Sequence, residues 1–295
     1  PAQPQPDARL HAGRKEPAAV TTKLLNKQMV VLDLSWLQAL PAGDETLPEA
    51  FVCVLSPRSI GEVVCREEQR RRLGDFKKLL RVIAANQDRI VVSRQINELM
   101  RDEIGVDSSV SVEDVVDWHL TEMLSIASSH AAEGQIVDVV DGLSRHMDPG
   151  FANRREEFWL SLILAHKTCA WSETVTPTDF QHIERLRPLV HSTRSAEFLT
   201  AYLQTLNEQN AGEIMLPISC QDCPTCWERM ALVLYFLRLK LVANLTGEMD
   251  NDYDDLNYAM IASYAGELWT RDNGLALLTR VCFPDVTVVT GEATA

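Results

Sequence analysis

An α/β fold around a mainly parallel sheet is what this sequence predicts, and three observations carry the prediction. The apolar runs Met29 to Leu37 (broken by Asp33 and Ser35), Ala50 to Leu55 and Arg89 to Ser93 are of buried-strand type. Each leads through Asp or Ser into sequence with helical period. Near the C-terminus, Asp250, Asp252, Asp254 and Asp255 precede an apolar run that ends in Trp269-Thr270-Arg271-Asp272. So many carboxylates in a short span do not form a core, and in a dry pocket they need a counter-charge, which invites a cation. If Asp255 starts a helix that Gly266 closes, and Glu267 to Thr270 is the next strand, Asp255 and Asp272 converge on one side of a sheet, where open α/β proteins place their sites.

The chain has 295 residues, 46% of them apolar, enough for one large domain or two smaller ones. No run approaches the roughly 18 apolar residues of a membrane span. The stretch Pro1 to Asp7 lacks the order of a secretory signal, so a soluble, cytoplasmic protein is expected. Seven cysteines in such a chain suggest reduced thiols. The net charge of −14 argues against a surface that binds nucleic acid everywhere. A local basic track remains on Arg66 to Arg81, with Arg70, Arg71, Arg72, Lys77 and Lys78. It reads either as a solvated face with (i, i+4) pairs Glu67/Arg71 and Glu68/Arg72, or as a phosphate-contacting helix.

In chain order, residues 1–27 read as a flexible arm rich in Pro and charge. The first strand ends in Asp33, which is costly to bury unless hydrogen-bonded or metal-bound, and which equally suits a helix cap. Ser56-Pro57 opens a helix in the preferred way, cap residue then Pro, and Glu62 lies within its first two turns. Ser93 repeats the pattern before Glu98, making Glu98 a rival to Glu62. From about Val110 to Leu245 the pattern is mainly helical. Ser111 to Asp114 opens a helix through Val116, Leu120 and Leu124. Further helices are expected over Ile136–Leu143, Glu156–Ala170, Thr178–Val190, Ala196–Leu206 and Cys226–Leu245. Val286 to Val289 is a last β-branched strand.

Three separated pieces, Val30-Val31-Leu32-Asp33-Leu34-Ser35, Ser56-Pro57-x-x-Ile60-x-Glu62, and Asp252-x-x-Asp255-Leu256-x-Tyr258 with Thr270-Arg271-Asp272, together resemble the PIN domain, a family of metal-dependent nucleases. The resemblance implies a three-layer fold and an acidic pocket for magnesium or manganese. Its matching acids are Asp33, Glu62, Asp255 and Asp272, with Asp252 and Asp254 able to support Asp255. Thr270 is a candidate for orienting water or phosphate. RNA is the commoner substrate class in that family. The match covers residues 28–105 and 247–290, with residues 106–246 as a helical insertion far longer than a compact PIN domain has, and 291–295 as a tail.

Carboxylates suit magnesium or manganese better than zinc, and no HExxH, Gly-x-Ser-x-Gly elbow or Gly-rich phosphate loop is present. Cys220, Cys223 and Cys226 could share a metal with His166, Cys169, His182 or His191, or be an ordinary loop entering a helix. Two functions therefore stand: a nuclease, or a PIN-like scaffold without cleavage whose helical insertion binds a protein or nucleic-acid partner.

Overall fold

Strand β1 (Gln28–Leu32) is the centre of the sheet. It pairs in parallel with β2 (Phe51–Leu55) along its whole length, Gln28 facing Phe51 and Leu32 facing Leu55. On the far side of β2 lies β3 (Ile90–Val92). On the other side of β1 lie β4 (Glu267–Thr270) and then β5 (Thr287–Thr290), giving the order β3-β2-β1-β4-β5 with every pairing parallel. The computed structural model describes residues 27–40, 46–64, 69–105, 113–130, 151–169, 171–209, 225–245 and 249–291.

Both faces of the sheet are covered, and the two-residue period of a strand sorts its side chains between two cores. Val30, Leu32, Cys53, Leu55, Ile90, Val92 and Trp269 enter one core. There they meet α1 (Leu34–Ala39), α2 (Pro57–Val64), α3 (Gln69–Ala85) and, further along the chain, Leu124. Met29, Val31, Val52, Val54, Val91 and Leu268 enter the other. That core also takes Leu99 from α4 (Ile96–Gly105); α5 (Trp118–His130) packs Leu120, Met123 and Leu124 on the first face, while its Trp118 packs against the second core. The second face is then built by α6 (Phe151–Thr168), α7 (Ile183–Val190), α8 (Thr193–Gln209), α9 (Thr225–Val242), α10 (Met249–Ala265) and α11 (Asn273–Cys282). Among the described residues, no helix is long and apolar enough to cross a membrane.

Several elements differ from the sequence reading. Ser111 and Val112 lie outside the described residues, and the stretch that follows does not run straight into a helix. Glu113–Val115 forms a 3-10 turn and Val116 bridges antiparallel to Ser93. The free edge at the end of β3 decides this, since Arg94 N–H donates to Val115 O at 2.7 Å and Asp117 N–H to Val92 O at 2.8 Å. Helix α5 then opens on Asp117, whose Oδ1 accepts the Leu120 N–H at 2.9 Å. Ser93 is consequently a bridge residue and caps nothing. The expected helix over Thr178–Val190 is divided into a 3-10 turn, Pro177–Gln181, and α7. A capping box between Thr176 and Asp179 favours a start at Thr176. Helix α10 begins at Met249, so Asp255 stands in its second turn and Asp252 one turn earlier. Ile136–Leu143 lies outside the described residues.

Among the described residues, the largest fully buried side chain is Arg238 on α9. It pairs with Glu173 and donates to Trp171 O at 3.1 Å, tying the segment before α7 to the helical layer. Removing one partner of a buried ion pair leaves the other charge desolvated. Glu173 keeps Arg194, at 2.9 Å, and the Tyr235 hydroxyl as partners, so Arg238→Ala is expected to lower unfolding free energy by about 1.5–3 kcal/mol. Urea denaturation followed by Trp fluorescence and far-UV circular dichroism will measure the loss.

Candidate active site

After β3 the chain returns past β1 and lays down β4 on its other side, so the strand order reverses between β1 and β4. In open parallel sheets that reversal leaves a crevice outside the carboxyl ends of the strands. Asp33 directly follows β1, and Thr270 ends β4. The pairing of Leu32 with Trp269 sets Asp33 beside Thr270, and Asp33 N–H donates to Trp269 O at 3.1 Å.

Three groups organise this end of the sheet. The fully buried Thr270 hydroxyl donates to Asp33 Oδ2 at 2.7 Å and accepts the Asp272 N–H at 2.9 Å. Ser35 Oγ also donates to Asp33 Oδ2, and accepts the Arg271 N–H at 3.0 Å. Asp272 caps α11, its Oδ1 accepting from Gly274 N–H at 2.6 Å and Leu275 N–H at 3.0 Å. Thr270 thus positions both acids; with its one proton given to Asp33 and no exposure, it does not itself reach water or phosphate.

Asp255 enters from α10. A Cβ placed on Gly274 would stand 3.0 Å from Asp272 Oδ1 and 3.9 Å from Asp255 Oδ2, so the missing side chain keeps open a space flanked by both carboxylates. Burial pushes the Asp255 carboxyl well above the usual range, and the charges of Asp272, Asp252 and Asp33 raise it further, with Lys240 opposing. Burial likewise raises Asp33; the hydroxyls of Ser35 and Thr270 work against the rise and Asp272 adds to it. The end of β1 and the consecutive pair α10 and β4, more than 200 residues on, therefore bring Asp33, Asp255 and Asp272 into one electrostatic group.

Comparison with protein-family models, with curated proteins and with solved structures finds no match.

The donor set fits a hard divalent cation in its chemistry: every acid named is an oxygen donor, and the pocket resists full ionisation without a counter-charge. As the side chains stand, no group of three or more His, Cys, Asp or Glu among the described residues is placed to hold a metal ion. The acids are engaged by the protein's own donors: hydroxyls hold Asp33, the α11 backbone holds Asp272 and Lys240 holds Asp252.

Of the other expected residues, Glu62 lies on α2, but its side chain is outside the described residues. Its helix is fixed against α10 by Ser59 Oγ and Tyr258 Oη at 2.8 Å, with Glu62 one turn after Ser59 and Asp255 one turn before Tyr258. Arg58 packs over the Tyr253 ring at 4.3 Å and approaches Asp254 Oδ1 at 3.9 Å, which holds Asp254 toward α2. The rival Glu98 turns back on its own helix: Oε2 accepts the Gln95 N–H at 3.4 Å and lies 3.8 Å from Arg94 Nε.

On the basic helix, Lys78 Nζ closes the end of α1 by donating to Gln38 O at 2.6 Å and to Leu40 O. Lys77 is half-buried, and the side chains of Arg70, Arg71 and Arg72 lie outside the described residues, as do Glu67 and Glu68. Cys220 and Cys223 are also outside them, while Cys226 is buried at the start of α9. Of its suggested co-ligands, His182 faces Glu184 at 3.2 Å and His191 Nε2 faces Val281 O at 3.0 Å.

Sequence reasoning did not assign Ser35, Gly274 or Lys240 to the site. Ser35 was open to inference, two residues after Asp33; Gly274 and Lys240 carry no local signal.

A carboxyl whose pKa is raised by folding contributes its stability below the usual carboxylate range, and that contribution is lost as pH rises through the raised value. Asp255→Asn is therefore expected to raise the Tm of chelator-treated protein at pH 7. The gain should vanish below about pH 4, where the acid is protonated in the unfolded chain as well. Thermal melts at both pH values test this, and an unchanged or lowered Tm at pH 7 contradicts it.

Proposed function

We propose that this protein is a divalent-metal-dependent nuclease of PIN type that hydrolyses phosphodiester bonds, in RNA rather than DNA. The observation that carries the reading is the meeting of Asp33, Asp255 and Asp272, from the ends of β1 and β4 and from α10, at the reversal of a five-stranded parallel sheet. Asp33, Asp255 and Asp272 would hold magnesium or manganese, with Glu62 completing the set or orienting water. Such an ion, when bound, neutralises charge developing on phosphate and activates water. Thr270 and Ser35 fix the direction of Asp33, and the α11 N-terminus fixes Asp272. The exposed Arg271, between Thr270 and Asp272, is available to the substrate backbone.

The engagement of Asp33, Asp272 and Asp252 by the protein's own donors supports a second reading, a PIN-like scaffold that binds a partner through its helical layer without cleavage. Cleavage separates the two. Purified protein given mixed single-stranded RNA and DNA should cut RNA with manganese or magnesium and stop with chelator. Asp33→Asn and Asp272→Asn should each abolish the activity while the fold persists, since the Asn amide oxygen can still accept the Ser35 and Thr270 hydroxyls at position 33 and caps a helix as well as Asp does at position 272. Equal activity in both variants refutes the pocket, and no cutting under any condition favours the scaffold.

If α3 guides the strand, replacing Arg70, Arg71 and Arg72 together weakens RNA binding and lowers the slope of log affinity against log salt by about 2, at roughly 0.7 for each phosphate of a single strand that is no longer neutralised. Fluorescence anisotropy at several salt concentrations measures it; an unchanged slope makes that helix a solvated face.

A further inference from the structure

The acidic pocket already contains one cation of its own. Lys240, in the last turn of α9, donates from Nζ to Asp252 Oδ1, with the two side chains 15% and 7% exposed. Asp252 sits one turn before Asp255 on α10, on the same side of that helix. The Lys240 charge also acts on Asp255, in opposition to the three neighbouring acids. Its position is set by the packing of whole helices. Arg229 of α9 donates to Ser263 Oγ of α10 at 2.6 Å and lies over the Tyr264 ring at 4.2 Å. Eleven residues separate Arg229 from Lys240, and eleven separate Ser263 from Asp252. Equal spacing in opposite directions means that α9 and α10 run antiparallel with matched rise, which delivers the ammonium to Asp252.

We propose that Lys240 is the pocket's resident counter-cation: it keeps Asp252 out of metal coordination, so that the site takes one divalent cation, held by Asp33, Asp255 and Asp272. This rests on the metal-dependent reading above and deepens it. A second divalent ion shared by Asp252 and Asp255 would have to displace the ammonium from Asp252 or stand against its charge. The helical layer thereby sets the metal count of a pocket whose other acids belong to the sheet ends and to α10. Lys240 is a positioning residue in this scheme.

Manganese binding to the full chain, counted by isothermal titration calorimetry and by the loss of the free-manganese electron paramagnetic resonance signal, tests the proposal without any assay of activity. The wild type should bind one ion. Lys240→Met should bind two, because Asp252 is released. The charge-neutral pair Lys240→Met/Asp252→Asn, which leaves no buried charge unpaired, should bind one ion with affinity within roughly threefold of wild type. Two ions in the wild type, or one in a folded Lys240→Met protein, overturn the proposal. So does a loss of affinity beyond about tenfold in the paired variant, since that makes Asp252 a ligand. A wild type that binds no manganese instead overturns the metal-dependent reading on which this one stands. Should Lys240→Met fail to fold, Lys240→Gln, which keeps a donor for Asp252 without the charge, takes its place and should likewise bind two ions, one ion overturning the proposal.

Discussion

The hydrogen bond from the Thr270 hydroxyl to Asp33 Oδ2 joins the two strands between which the sheet reverses its order, and the candidate site depends on it. Thr270 is fully buried and its oxygen also accepts the Asp272 N–H. One side chain therefore fixes a carboxylate at the end of β1 and the backbone that presents a carboxylate after β4. The parallel register places Thr270 there, with Leu32 facing Trp269 one residue earlier. A one-residue slip would turn Thr270 to the opposite face of the sheet and place an apolar side chain against Asp33.

Around that bond the protein concentrates negative charge in a place that resists it. Burial and mutual repulsion raise Asp33 and Asp255, while hydroxyls, a helix N-terminus and one ammonium hold individual acids in place. A chain with a net charge of −14 has few cations near any given acid, so the placement of Lys240 matters more than its number in the composition. The same principle appears away from the site, where Arg238 and Glu173 are buried together in the helical layer. In both cases a charge from α9 is brought to an acid elsewhere in the chain by the packing of that helix.

Much of the sheet was legible because its signals are local. Buried parallel strands read as apolar runs, and β1, β2, β3 and β4 lie within a residue or two of where those runs placed them. Ser56-Pro57 opens α2, with Ser56 Oγ accepting the Arg58 N–H at 3.1 Å, and Gly266, at φ 85°, closes α10. The reading went astray where a distant partner overrode the local pattern: Ser93 bridges to Val116 instead of starting a helix, because the exposed edge of β3 had backbone groups to satisfy. Glu98 had the same local context as Glu62, yet it closes on Arg94 and Gln95.

The sequence by itself determined where the buried strands and several of the helices lie, that an acid ends β1, and that others cluster before and after β4, since burial period and capping chemistry act within a few residues. Only the tertiary structure decided the strand order, the hydroxyl bridge from Thr270 to Asp33, the space that Gly274 leaves between Asp272 and Asp255, and the ammonium that Lys240 brings to Asp252. Those features join groups that are neighbours only once α9, α10 and the sheet have packed. Their energies come from desolvation and charge at short range, for which spacing along the chain carries no information.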